Sequence, residues 1–247
     1  MLGDFCLRLA CGLVCSLLLL PPGQINPRFY RVHFLTALCL AAVAAVFLRE
    51  TADSWTWVWL AAGIAVAFLG AVAWSVDKAP GRSGLAVLDA VCLVLALVKI
   101  SVLNSSENAA TWNIANELTS AALLGTATTA MLMGHSYLIA PGMSLSPLLR
   151  LLGGLAASLL ARALMSGLGL WTSGIAFGKL NDVTMIVPLR WGMGIVLPLV
   201  LTIMAWQTAR IRSTQSATGI LYVVVIFCFI GELMSQLLYQ LTTGRIL

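Results

Sequence analysis

The stretch LAVLDAVCLVLALVKISVL, residues 85–103, decides the fold class. In nineteen residues it carries two ionisable side chains, Asp89 and Lys99. Its apolar run is continuous, whereas a lipid-facing barrel strand alternates. About 20 apolar residues in a helix cross a bilayer's hydrocarbon core. Inside that core every backbone N–H and C=O has to be satisfied within the chain, which a helix achieves alone.

Seven further runs of the same kind occupy residues 5–20, 30–48, 56–76, 116–140, 147–170, 186–206 and 217–239. The expected architecture is therefore an all-α integral membrane protein, a bundle of about eight transmembrane helices forming one polytopic domain over residues 1–247. Composition points the same way. Of the 247 residues 60% are apolar and 9% charged, against roughly 25% charged in a soluble domain. Disorder is excluded by the hydrophobicity. An ordinary soluble enzyme is disfavoured because one core of this size cannot hide so much apolar surface.

The breaks between runs are Pro21-Pro22-Gly23 with Asn26-Pro27, Ala79-Pro80-Gly81, and Pro141-Gly142 with Pro147. The first run has Asp4 as well as Arg8 at its start and no small-residue cleavage site before Pro21. It reads as a helix rather than a signal peptide. The longest connections, 104–115 and 171–185, leave room for a surface helix or a re-entrant stretch.

The net charge of +5 comes from scattered residues, not from a basic stripe with exposed aromatics, so no nucleic-acid partner is expected. The clusters Arg28/Arg31, Lys78/Arg82 and Arg210/Arg212 all fall in odd-numbered loops. Cytoplasmic loops are the Lys/Arg-rich ones. The expectation is both termini outside and a bacterial inner membrane as the location.

Six cysteines, Cys6, Cys11, Cys15, Cys39, Cys92 and Cys228, lie in apolar runs without any C-x-x-C. Iron–sulfur and zinc spacings are absent, and the thiols read as small buried side chains. The two histidines, His33 and His135, start the second run and end the fifth, which with eight spans puts both near one face of the membrane. Two imidazoles from two helices are the minimum for a six-coordinate haem b. Gly125, Ala127, Ala130 and Gly134 are small enough to admit the ring. A quinone contact, or an ordinary interfacial polar role, competes with that metal-ligand reading of His33 and His135.

A charge in hydrocarbon costs at least ~2.5–3.5 kcal/mol and needs a partner or a wet cavity. Arg162 shares a face with Ser158 and Ser166. Glu232 sits in a stripe with Cys228, Ser235, Gln236 and Tyr239. An Arg162–Glu232 ion pair lowers both burial costs. Lys99, Glu117 and Arg190, with Asn113 and Asn116, are expected as a polar cluster at helix ends on that same side. Its functional reading is a quinone-headgroup or proton-exchange site, and its structural reading is helix glue with snorkelling ends. Asp89 is a lesser candidate. Gly153-Gly154, Ala157, Ala161 and Gly167 read as close helix packing.

The segments Leu189-Arg190-Trp191-Gly192-Met193-Gly194-Ile195-Val196-Leu197-Pro198 and Gly231-Glu232-Leu233-Met234-Ser235-Gln236, followed by Tyr239, resemble the membrane-anchor subunits of the dimethyl-sulfoxide-reductase and polysulfide-reductase type. That resemblance implies eight helices, a quinone site and a peripheral iron–sulfur partner. Where that family often carries an Arg four positions after the Glu, this chain carries Gln236. The leading expectation is a quinone-interacting anchor subunit, with quinone and haem b as cofactors and His33, His135, Arg162 and Glu232 as their contacts. The alternatives are a small-molecule or ion transporter with an Arg/Glu-lined path, and a purely structural membrane protein.

Overall fold

A computed structural model describes residues 2–76, 81–105, 110–140, 143–173 and 182–241, with backbone only at 182–184. Every regular element among these residues is a helix. They are α1 (Leu2–Leu17), α2 (Pro27–Phe47), α3 (Ser54–Ala73), α4 (Arg82–Leu103), α5 (Ala110–Ile139), α6 (Ser146–Ser173), α7 (Asp182–Trp191), a π-helical turn (Gly192–Val196), α8 (Leu197–Arg210) and α9 (Thr214–Leu241). The chain divides into two compact units, Met1–Thr129 and Ala130–Leu247, with the division falling inside α5.

Local chemistry sets the helix starts. Pro27 occupies the first turn of α2, and the Asn26 side chain accepts from the Arg28 N–H at 2.9 Å. Asp53 caps α3, accepting from the Thr56 N–H at 2.8 Å and the Thr56 hydroxyl at 2.5 Å. Those two bonds hold the Asp53 carboxyl below its ordinary range, hydroxyl first. Gly81 precedes α4 with φ at 75°, a left-handed conformation that suits glycine. Residues 79–80 and 141–142, the other expected breaks, lie outside the described residues, as do Lys78, Lys179 and Arg245.

Burial is inverted relative to a soluble protein. On α6, Leu160, Leu164 and Leu168 face outward while Ser158, Arg162 and Ser166 are buried. On α3, Phe68, Leu69 and Val72 are exposed while Gly63, Ala67 and Gly70 are covered. Large apolar side chains facing out on helices that also bury small and polar ones match a hydrocarbon solvent.

Among the described residues six helices are long and apolar enough to cross a membrane: Pro27–Phe47, Ser54–Ala73, Arg82–Leu103, Ser146–Thr172, Met185–Arg210 and Thr214–Leu241. By this measure the first and fifth of the eight expected runs fall short. The first run forms only the 16 residues of α1, about 24 Å at ~1.5 Å per residue, short of a core of roughly 30 Å. The fifth forms 30 residues, ample in length, but Asn113, Asn116, Glu117 and five threonines dilute its apolar character.

In the first unit α1–α2, α2–α3, α3–α4 and α4–α1 pack in turn, closing a ring of four helices around Leu7, Val14, Ala41, Leu60, Leu93 and Leu97. The first half of α5 lies along α1 at backbone distance. A Cβ at Gly12 would collide with the Ala121 carbonyl, and one at Gly125 with the Gly12 backbone. Arg8 pairs with Glu117 through both nitrogens of its fork, and the Ser16 and Thr129 hydroxyls share a hydrogen bond at 2.5 Å. Contacts at 8, 12 and 16 meet 117, 121–125 and 129, so α1 and α5 run parallel in a four-residue register.

In the second unit α9 packs against α7, the π turn and α8, and α6 packs against α8 and the π turn. Pro198 has no N–H to give and its ring crowds the carbonyl four residues back. Ahead of it the ladder loosens, and the Leu197 N–H reaches the Gly192 carbonyl, five residues back. Gly194, within this turn, lets α9 approach at Gly231: a Cβ there would stand 2.6 Å from the Gly231 Cα.

Candidate functional site

Glu232 follows Gly231 directly, so the close approach of the π turn to α9 fixes where its carboxylate points. Arg162 on α6 meets it as a two-pronged fork. Its Nε donates to Oε1 at 2.6 Å and its Nη2 to Oε2 at 2.8 Å, while Nη2 also donates to the Ser235 hydroxyl at 2.9 Å. Arg162 is 1% and Glu232 2% exposed. Parallel N–H···O bonds of this kind are the strong, geometrically specific form of ion pair. The ion pair expected from the intramembrane charges is therefore present.

A second guanidinium lies beside the pair. Arg190, at the end of α7, is 2% exposed and gives Nη2 to the Ser166 hydroxyl at 2.7 Å. Its electrostatic neighbours are Arg162 and Glu232. Among the described residues two buried cations thus stand against one carboxylate. Nη1 of Arg190 has no partner among the described residues, and neither has the Gln236 amide nitrogen nor the Trp191 indole nitrogen. Gln236 lies one turn beyond Glu232 on α9, and Trp191 adjoins Arg190. Buried donors are normally satisfied, and an unclaimed one costs about 1–3 kcal/mol. The site is rich in donors, carries an excess positive charge and is matched to an oxygen acceptor.

The expected cluster of Lys99, Glu117 and Arg190 does not describe Glu117, whose partner is Arg8. Lys99 is exposed and lies electrostatically near Asp53. Arg8 was the functional-looking charge that run-by-run reading passed over, because a charge near a helix start is ordinarily a snorkelling one. Its signal was the spacing Arg8, Gly12, Ser16 on α1 against Glu117, Ala121, Gly125, Thr129 on α5.

His33 and His135 belong to different units. His33 is 1% exposed, stacks on Phe29 at 4.2 Å between ring centroids, and places Nδ1 2.9 Å from the Phe29 carbonyl. A carbonyl only accepts, so Nδ1 carries the proton and Nε2 presents its lone pair. That Nε2 has no partner. This is how a metal-ligating imidazole is oriented. His135 is exposed, with the Tyr222 hydroxyl 3.5 Å from its Nδ1. No group of three or more His, Cys, Asp or Glu side chains able to hold a metal ion occurs among the described residues.

No family model matches this chain, and no curated protein or solved structure does.

Proposed function

We propose that this chain is the quinone-interacting integral membrane subunit of a multi-subunit oxidoreductase, and that its quinone site is built on Arg162, Arg190, Glu232 and Gln236. The observation that carries the reading is Arg190: a buried cation with one arm on Ser166, the other arm unclaimed, and its nearest carboxylate already taken by Arg162. Such a cation is stabilised by an acceptor oxygen that enters without a full negative charge of its own, as a quinone carbonyl does. Arg190 and Gln236 bind and orient that oxygen. Arg162 fixes the Glu232 carboxylate in place, and the leucine-lined outer faces of α6 exclude water. The bound quinone supplies the two-electron chemistry, and a peripheral iron–sulfur partner carries the electrons.

In this reading α1 and α5 cross the bilayer as inner helices, making eight crossings in a bacterial inner membrane with both termini outside. Their parallel register supports it, since first and fifth crossings run the same way. The free lone pair on His33 Nε2 favours one addition, an axial ligand for a b-type haem. His135 fits less well, being exposed and near Tyr222.

Equilibrium binding of a short-chain ubiquinone analogue to the purified protein tests the site. Arg190→Ala removes a charge-assisted hydrogen bond of about 1.5–3 kcal/mol, so affinity should fall roughly ten- to a hundredfold. Absence of binding by the unaltered protein would sink the proposal. Binding of a small anion instead would keep the site and overturn the quinone assignment.

A further inference from the structure

The first unit holds a carboxyl that none of this chemistry uses. Asp89 lies in the middle of α4, in the run LAVLDAVCLVL, and is 0% exposed. Both of its carboxyl oxygens lack a hydrogen-bond partner among the described residues. No cation faces it. From α1 the titratable groups within its electrostatic reach are Cys11 and Cys15, and from α4 itself Cys92. From α3 there is none: that helix carries no ionisable side chain, and a Cβ on Gly63 would stand 3.7 Å from Asp89 Oδ1. Cys11 and Cys15 lie one turn apart and share a face of α1.

An ionised carboxylate in such surroundings has neither a counter-charge nor a donor to replace its water, and the group neutralises instead. We propose that Asp89 is an exchangeable proton-binding site, neutral at physiological pH, with the Cys11–Cys15 thiol pair as its nearest exchange partner. It is independent of the quinone site in the second unit. A thiol that takes the carboxyl proton on its sulfur passes its own S–H proton onward, so neither cysteine changes charge. Arg8, the buried cation of α1, does not neutralise Asp89, because Glu117 holds its fork.

Infrared spectroscopy of the full chain in lipid nanodiscs tests this. At neutral pH the carbonyl band of a protonated carboxyl is expected, absent in Asp89→Asn and restored at a shifted position in Asp89→Glu. Transfer to heavy water should move the band promptly, and more slowly in a Cys11→Ala/Cys15→Ala variant. Dicyclohexylcarbodiimide, which modifies protonated carboxyls in apolar surroundings, should label the 82–103 peptide at neutral pH in the unaltered protein and in Asp89→Glu, and not in Asp89→Asn. Absence of both band and label at neutral pH would overturn the proposal. A band that does not move in heavy water would overturn exchange. Asp89→Glu keeps the test decisive if Asp89→Asn fails to fold.

Discussion

Arg162 heads the side chains that the fold hides completely, and two of its guanidinium nitrogens make two bonds to Glu232 and one to Ser235. Burying a guanidinium and a carboxylate together is tolerable, but leaving one of them alone is not. Removing a single partner from a buried pair costs ~3–5 kcal/mol, whereas replacing both by apolar groups is often neutral. Arg162→Leu and Glu232→Leu should each lower the unfolding midpoint in detergent sharply, and the double variant should recover most of the loss. A thermal-unfolding double-mutant cycle measures this. Additive losses would mean that the two charges act separately. Both residues were legible in the sequence because a charge deep in an apolar run demands a partner. Asp89 was legible as an anomaly only, since its lack of a partner is a property of what α1 and α3 bring against it.

At the scale of elements, the π turn joins Pro198, Gly192 and Gly194 into one device. The proline forces the loosened ladder, whose bond ends on the Gly192 carbonyl, and Gly194 lets α9 approach at Gly231. π bulges within helices often occur at functional sites, and here the residue after Gly231 is Glu232. Gly194→Leu should push α9 away, costing about 1–3 kcal/mol as overpacking and weakening quinone-analogue binding. Unchanged melting together with unchanged binding would show that the close approach is dispensable. The glycines and prolines were visible in the sequence. The five-residue slip was not, because residues 192–201 are apolar at almost every position and carry no periodicity whose shift would reveal it. The α1–α5 ladder was likewise readable only as two separate sets of four-residue spacings until packing brought them together.

For the whole molecule, the number of crossings turns on α1 and α5. A 16-residue helix is short for a bilayer, and a threonine-rich one is poorly suited to lipid. Neither objection holds for a helix whose faces are covered by protein. Leu7, Ala10, Leu13 and Val14 of α1 are fully covered, as are Ser120, Leu124, Ala127 and Ala130 of α5. Reporter fusions before Leu2 and at Gln24 should therefore report opposite sides of the membrane. Reports from the same side would leave α1 uncrossed, and with it the eight-crossing arrangement. The charge clusters at Arg28/Arg31 and Arg210/Arg212 should fall on the cytoplasmic side in the same assay.

Apolar composition and run length by themselves determined a helical chain suited to a membrane, with charges rare enough to single out. The reason is that hydrocarbon leaves the backbone no partner but itself. Which polar groups meet was decided only by tertiary packing: Arg162 with Glu232, Arg8 with Glu117, Arg190 with an arm to spare, Asp89 with none. A helix face offers its polar side chains every four residues to whichever neighbour comes. The approach of backbones at Gly12–Gly125 and Gly194–Gly231 selects that neighbour and its register.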